Sequence, residues 1–116
     1  MEGILKKSIE PEEIKRLQQQ IEACCRQGAA YAGQEDFTAA EQAYLRALKQ
    51  TQLLLEKTGD SGYGSAAGEL CEILADIHMQ QGNMHGADRY YVEAQRFRRK
   101  EGWPDAREDR RQENGT

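Results

Sequence analysis

Apolar side chains between residues 11 and 100 recur at helical intervals. Ile14, Leu17, Ile21, Cys24, Gly28 and Tyr31 follow one another at steps of three and four, which places them on one face of an α-helix. Pro11 suits a first helical turn, where its missing N–H has no partner to lose. The pattern predicts a helix over about 11–33, ended by Gly33 and the polar stretch "QED", with Asp36 as the cap of the next. A second helix over about 37–58 carries Phe37, Ala40, Tyr44, Ala47 and Leu54 on one stripe and Leu45, Leu48 and Leu55 on another. Two stripes imply neighbours on two sides. Gly59 is the expected stop. The segment "GDSGYGS", 59–65, reads as a hinge-like connection, with Ser65 capping a third helix over about 66–81 along Leu70, Cys71, Leu74, Ile77 and His78. Gly82-Asn83 breaks it, and a fourth helix over about 84–100 carries Met84, Ala87, Tyr91, Ala94 and Phe97. No window alternates β-branched and polar residues, so no sheet is expected.

The spacing repeats. Cys24, Gly28, Tyr31, Phe37, Ala40, Tyr44 and Ala47 are separated by 4, 3, 6, 3, 4 and 3 residues; Cys71, Ala75, His78, Met84, Ala87, Tyr91 and Ala94 repeat those separations 47 residues later. Small residues recur where helices must approach closely, and large ones where the gap needs filling. The expected fold class is all-α: two antiparallel helical hairpins stacked side by side.

This pattern resembles the tetratricopeptide repeat, with Gly28, Tyr31, Phe37, Ala40, Tyr44 and Ala47 in one unit and Leu74, Ala75, Gly82, Ala87, Tyr91 and Ala94 in the other. Glu35 stands where the turn glycine of that family is usual, Gln27 replaces an apolar residue, His78 and Met84 replace aromatics, and no proline closes either unit. The period of 47 exceeds the family's basic unit. The stretch from "ALKQTQLLLEKTGD" to "GNMHGADRYYVEAQ" is similar to the long-helix repeats of kinesin light chains and of the Pins family of spindle-orientation adaptors. The resemblance implies one helical domain over 1–101, with units at about 21–54 and 68–101 and a helical extension from about 11. It leaves 102–116 as a tail, either disordered or the start of a third unit, which "KEGWPDAREDRR" resembles.

The length, 116 residues, suffices for one domain. No apolar run has the length of a signal peptide or a membrane span, so a cytoplasmic protein without membrane contact is expected. Three cysteines, two of them adjacent, are read as small, partly buried thiols; with His78 and His85 they do not make metal spacing. Residues 8–95 hold fourteen acidic and seven basic side chains, a body that repels nucleic acid, whereas residues 96–111 hold seven basic and four acidic. That basic end starts as "RFRRKEG", where cations suit the end of a helix; an anionic partner is the alternative reading.

No nucleophile, base and orienting group cluster in the sequence. His78 occupies a packing position and reads as a satisfied structural histidine, while His85 starts a helix and should face solvent. "GDSGYGS" lacks the Lys-Ser/Thr ending of a phosphate-binding loop. Neither an enzyme nor a cofactor is expected. The resemblance implies a scaffold or adaptor whose first-of-pair helices line a concave groove for a peptide or helix of a partner protein. In that register the groove holds Glu22, Arg26, Ala29 and Gly33 from the first unit and Glu69, Glu72, Ile73, Asp76, Met79 and Gln80 from the second. The carboxylates at 69, 72 and 76 share one helix face. They would favour a basic segment, with Ile73 and Met79 adding apolar contact, or they form an ordinary solvated face. The alternative function is a self-associating structural subunit, or a small chaperone-like module of a larger complex, that uses the ends of the stack, with Phe97 and Trp103 as candidate contacts.

Overall fold

The computed structural model describes residues 9–99 as four helices: α1 (Pro11–Gly33), α2 (Phe37–Thr58), α3 (Ser61–Gln80) and α4 (Met84–Arg98). Trp103 and the tail from 102 onward lie outside the described residues. Each helix packs chiefly on its neighbour in the chain, α1 on α2, α2 on α3 and α3 on α4. The result extends 49 × 35 × 15 Å. That is a flat, open stack of two hairpins: the 35 Å middle dimension and the packing of each helix on its chain neighbour do not fit a closed four-helix bundle.

Both hairpins turn in the same way. After α1, the Glu35 amide bonds to Ala32 O at 3.0 Å and the Asp36 amide to Tyr31 O at 2.9 Å. After α3, the Gly82 amide bonds to Met79 O at 2.9 Å and the Asn83 amide to His78 O at 2.8 Å. These paired bonds close the last carbonyls of a helix and need one left-handed residue. Gly82 supplies it at φ +77°, and Glu35 adopts it at φ +62° despite its Cβ. Asp36 and Asn83 then cap α2 and α4, accepting from the amides of Ala39 and Gly86.

The connection between the hairpins differs from the expectation. It is Gly59-Asp60 alone, and "SGYGS" is the first turn and a half of α3. Only Gly59 takes a left-handed φ, +69°. Asp60 accepts the Gly62 amide at 2.9 Å and so starts the helix four residues before Ser65. Glycines at 62 and 64 disfavour a helix by about 1 kcal/mol each. Packing offsets this: Gly64 is buried, and the Tyr63 hydroxyl accepts from Gln18 Nε2 of α1 at 2.7 Å. α4 likewise ends at Arg98, short of residue 100.

The core follows the repeated spacing. Ala40, Ala47, Ala87 and Ala94 are fully buried, as are Leu54 and Leu74. Tyr44 lies flat over Gly28, so a Cβ built on Gly28 would sit 2.6 Å from ring atom Cε2. Here a glycine is required for close approach, not for a turn. The second unit has Ala75 at the equivalent position, and its ring, Tyr91, is 39% exposed against 7% for Tyr44. α2 is buried on both sides: Leu48 and Leu55 join the cluster with Leu70, Cys71 and Ile77. Thr51, also buried, turns its hydroxyl onto Ala47 O at 2.8 Å. Phe97, read from sequence as an exposed end-of-stack contact, is instead in this core at 9% exposure. Its Cβ would lie 3.6 Å from a side chain at Gly68, whose absence lets α4 settle onto α3.

Candidate functional site

α1 and α3 are the first helices of the two pairs. The chain reverses at each of the two intervening connections, so they run parallel, and Gln18 to Tyr63 joins them. The expected groove residues all lie on the outward arcs of these two helices. Glu22, Arg26, Ala29 and Gly33 are exposed on α1; Glu69, Ile73, Asp76, Met79 and Gln80 are exposed on α3, with Glu72 partly so. Offset by 47, Glu22 corresponds to Glu69, Arg26 to Ile73, Ala29 to Asp76 and Gly33 to Gln80. The α1 arc is therefore small and mixed in charge, and the α3 arc is acidic and apolar.

Two of the three α3 carboxylates have partners on α4. Glu72 pairs with Arg98. That hydrogen bond and charge hold the Glu72 carboxyl below its ordinary range and raise the Arg98 guanidinium. Asp76 accepts the Tyr91 hydroxyl at 3.1 Å, which pushes the phenol's pKa upward. Glu72 and Asp76 thus lean toward the α4 side of the arc. Glu69, on the same arc, adds its charge to the Arg98 guanidinium. Ile73 at 36% and Met79 at 42% are large apolar side chains left open among these charges.

A second polar assembly lies where α2, α3 and α4 meet. The Asn83 carbonyl oxygen is engaged by the Gly86 amide at 3.1 Å, so its amide nitrogen faces His78 Nδ1 at 2.9 Å. His78 Nδ1 must then accept, which leaves Nε2 as the protonated nitrogen, donating to Glu41 Oε2 at 2.8 Å. The Tyr90 hydroxyl donates to the same oxygen at 3.2 Å, and its ring lies 5.4 Å from the imidazole. Burial, with the adjacent Glu41 carboxylate, pushes the Tyr90 phenol up to about 12. Gly86 permits the arrangement, since a Cβ there would lie 2.7 Å from the Asn83 amide nitrogen. This network floors an open cleft of about 610 Å³, rimmed by His85, Arg89, Val92 and Glu93. His78 is thus a satisfied structural histidine, and His85 is exposed as expected.

Sequence reasoning placed none of Glu41, Asn83, Tyr90 and Arg98 in a site; it read Asn83 only as part of a helix break. One signal was available. Phe37, Glu41, Tyr44 and Leu48 share one stripe at steps of 4, 3 and 4, so a carboxylate stands on an otherwise apolar face and needs a buried partner.

Burial pushes the Cys71 thiol up to about 11 and raises Cys25 as well, so neither offers a ready thiolate near neutral pH. Among the described residues, no three His, Cys, Asp or Glu side chains gather as a metal site, and no helix is long and apolar enough to cross a membrane.

A family model of the tetratricopeptide repeat matches residues 21–52 and 68–101, more than half of the chain. Comparison with curated proteins and with solved structures gives no match. Repeats of this family generally mediate protein–protein interaction, and their fold is typically a non-enzymatic interaction module. The matched residues include the Gly28–Tyr44 crossing and both left-handed turns, so the chain belongs to the tetratricopeptide repeat family.

Proposed function

We propose that the protein is a non-enzymatic scaffold or adaptor that holds a peptide or helix of a partner protein along the outward arcs of α1 and α3. The observation that carries this reading is the exposure of Ile73 and Met79 on α3, beside the carboxylates of Glu69 and Asp76. Exposed apolar side chains bordered by one sign of charge favour a segment with the opposite charge and an apolar residue of its own. Glu22 adds a third carboxylate from α1, and Arg26 opposes it. Glu72 contributes less field, because Arg98 already neutralises much of it. The favoured partner segment is therefore basic, with one apolar anchor against Ile73 and Met79.

Fluorescence anisotropy with a library of labelled peptides, matched for length and hydrophobicity but differing in charge, tests this. Basic peptides with one large apolar residue should bind best. Their affinity should fall with added salt. Combined Glu69→Lys, Glu72→Lys and Asp76→Lys should weaken them at least tenfold. Equal binding of acidic and basic peptides, or indifference to the triple reversal, would exclude this groove.

A further inference from the structure

Arg98, the last residue of α4, reaches back onto the acidic arc of α3. Its stem passes Gly68, where a Cβ would meet Arg98 Cγ at 3.9 Å. One turn further along α3, its Nη1 pairs with Glu72 Oε2. Glu69, on the same arc, contributes to the field that raises the guanidinium. The arc that attracts basic side chains therefore already holds one, and that one belongs to the chain itself.

The first unit has no counterpart. Forty-seven residues earlier, Gly68, Glu72 and Arg98 become Ile21, Cys25 and Thr51. Thr51 is buried and turns its hydroxyl onto its own helix. The contact is thus no general device for closing a hairpin in this fold.

Three properties make the contact exchangeable. Both side chains stand in water, Arg98 at 45% exposure and Glu72 at 39%, and exposed ion pairs are weak. Arg98 lies in the last turn of α4, where helices fray at little cost. An incoming basic residue would also make the bond that Arg98 makes, so the exchange leaves no carboxylate without a partner.

We propose that Arg98 is a resident competitor for the partner: it fills the cation position at Glu69 and Glu72, and a basic residue of the partner takes that position by displacing it. This inference rests on the groove reading above and adds to it how the charge is regulated. At Glu72 one ion pair is exchanged for another, so charge alone yields little net affinity there. Discrimination among basic segments then falls to the apolar anchor against Ile73 and Met79. Arg98 acts as a specificity residue, weakening every ligand that offers charge without the anchor.

Fluorescence anisotropy of a labelled peptide with two arginines flanking one leucine, on the full chain at about 150 mM salt, tests this. Arg98→Gln should tighten binding about threefold, the scale of an exposed ion pair. In a Glu72→Gln background the same substitution should lose most of that gain, because the shared carboxylate is gone. Arg89→Gln makes the same change in net charge from the opposite side of α4, beside the Glu41 cleft, and should leave binding nearly unchanged. A second readout needs no variant: in the wild type, the Arg98 Nε–H resonance should move toward that of an unpaired arginine as peptide is added. Binding that is unaffected by Arg98→Gln, a gain that persists in Glu72→Gln or is matched by Arg89→Gln, or an Arg98 signal that stays fixed at saturation would overturn the competition and leave the groove standing. A peptide that binds neither the wild type nor Arg98→Gln would overturn the groove reading and this inference with it.

Discussion

Gly28→Ala is the sharpest probe of how the first hairpin closes. In a helix interior, glycine to alanine ordinarily stabilises by about 1 kcal/mol. Here the new Cβ would stand 2.6, 2.7 and 2.9 Å from three ring atoms of Tyr44. Carbon atoms pack best at about 3.5 Å or more, so the ring must withdraw by about 1 Å. It has little room: Tyr44 is 7% exposed, and Ala40 and Ala47 beside it are fully buried. Overpacking of this kind costs about 1–3 kcal/mol, and a whole ring face against a methyl belongs near the top of that range. After the helix-propensity gain, the net loss is about 1–2 kcal/mol. For a chain of this size the melting temperature should fall by roughly 5–10 °C. Thermal and urea unfolding followed at 222 nm would measure it. On a Tyr44→Leu background the ring is gone, and Gly28→Ala should be neutral or stabilising, giving a coupling of at least 1 kcal/mol. Gly33→Ala serves as the control, since nothing lies within 4 Å of its Cβ, and it should not destabilise. A rise in melting temperature for Gly28→Ala, or no coupling to Tyr44, would refute the crossing geometry.

Two further outcomes follow from single groups. Glu35 holds a left-handed φ of +62°, a conformation that disfavours a side chain by about 1–2 kcal/mol. Glu35→Gly should raise stability by about 1 kcal/mol after the glycine's extra unfolded-state freedom is counted, and an unchanged or lower urea midpoint would show that Glu35 makes a compensating contact. At high pH, burial holds the Cys71 thiol up to about 11 and Tyr90 up to about 12. Folded pKa values above the ordinary 9 and 10 mean that these groups contribute fully below pH 9 and lose their contribution as pH rises toward 11 and 12. Stability should therefore decline from about pH 9 upward, and Tyr90→Phe should flatten the upper part of that decline; a flat profile from pH 9 to 12 in both proteins would remove the assigned burial.

Helix periodicity was legible because it is local. The apolar steps of three and four mark α1 and α2, Pro11, Gly33, Asp36 and Gly59 mark their ends, and the 47-residue offset reveals the stack. The linker was not legible, because glycine is ambiguous as a signal. Of the glycines in "GDSGYGS", only Gly59 needs its left-handed freedom. Gly62 and Gly64 are held helical by the Asp60 cap and by packing that only tertiary structure shows. Phe97 was misplaced for a related reason. Its apolar stripe is visible in sequence, but the small partner that receives it, Gly68, is 29 residues away. The Glu41, His78 and Tyr90 network joins residues 37 and 49 positions apart, and no periodicity encodes such pairings. On the groove, spacing put the carboxylates on one face, but Arg98, which neutralises one of them, comes from another helix.

The differences between the two units share a physical cause. In a stack of repeats each unit is stabilised by its neighbours, and a two-hairpin stack has one internal interface, between α2 and α3. α2 serves two neighbours and keeps Leu48 and Thr51 on its outer stripe; α4 serves one, and there the same positions are Gln95 and Arg98. The second unit also carries the residues that bind the interface at its polar end. His78 replaces Tyr31, Gly86 replaces Ala39 and Tyr90 replaces Ala43, and together they close on Glu41. Removing Glu41 would leave the histidine N–H and the tyrosine hydroxyl partly buried without an acceptor, an expensive loss. A partner laid across both α1 and α3 needs those helices at a fixed separation, and α2 with this network sets it. The junction is therefore where stability and the proposed binding surface meet, although none of its polar residues touches the groove.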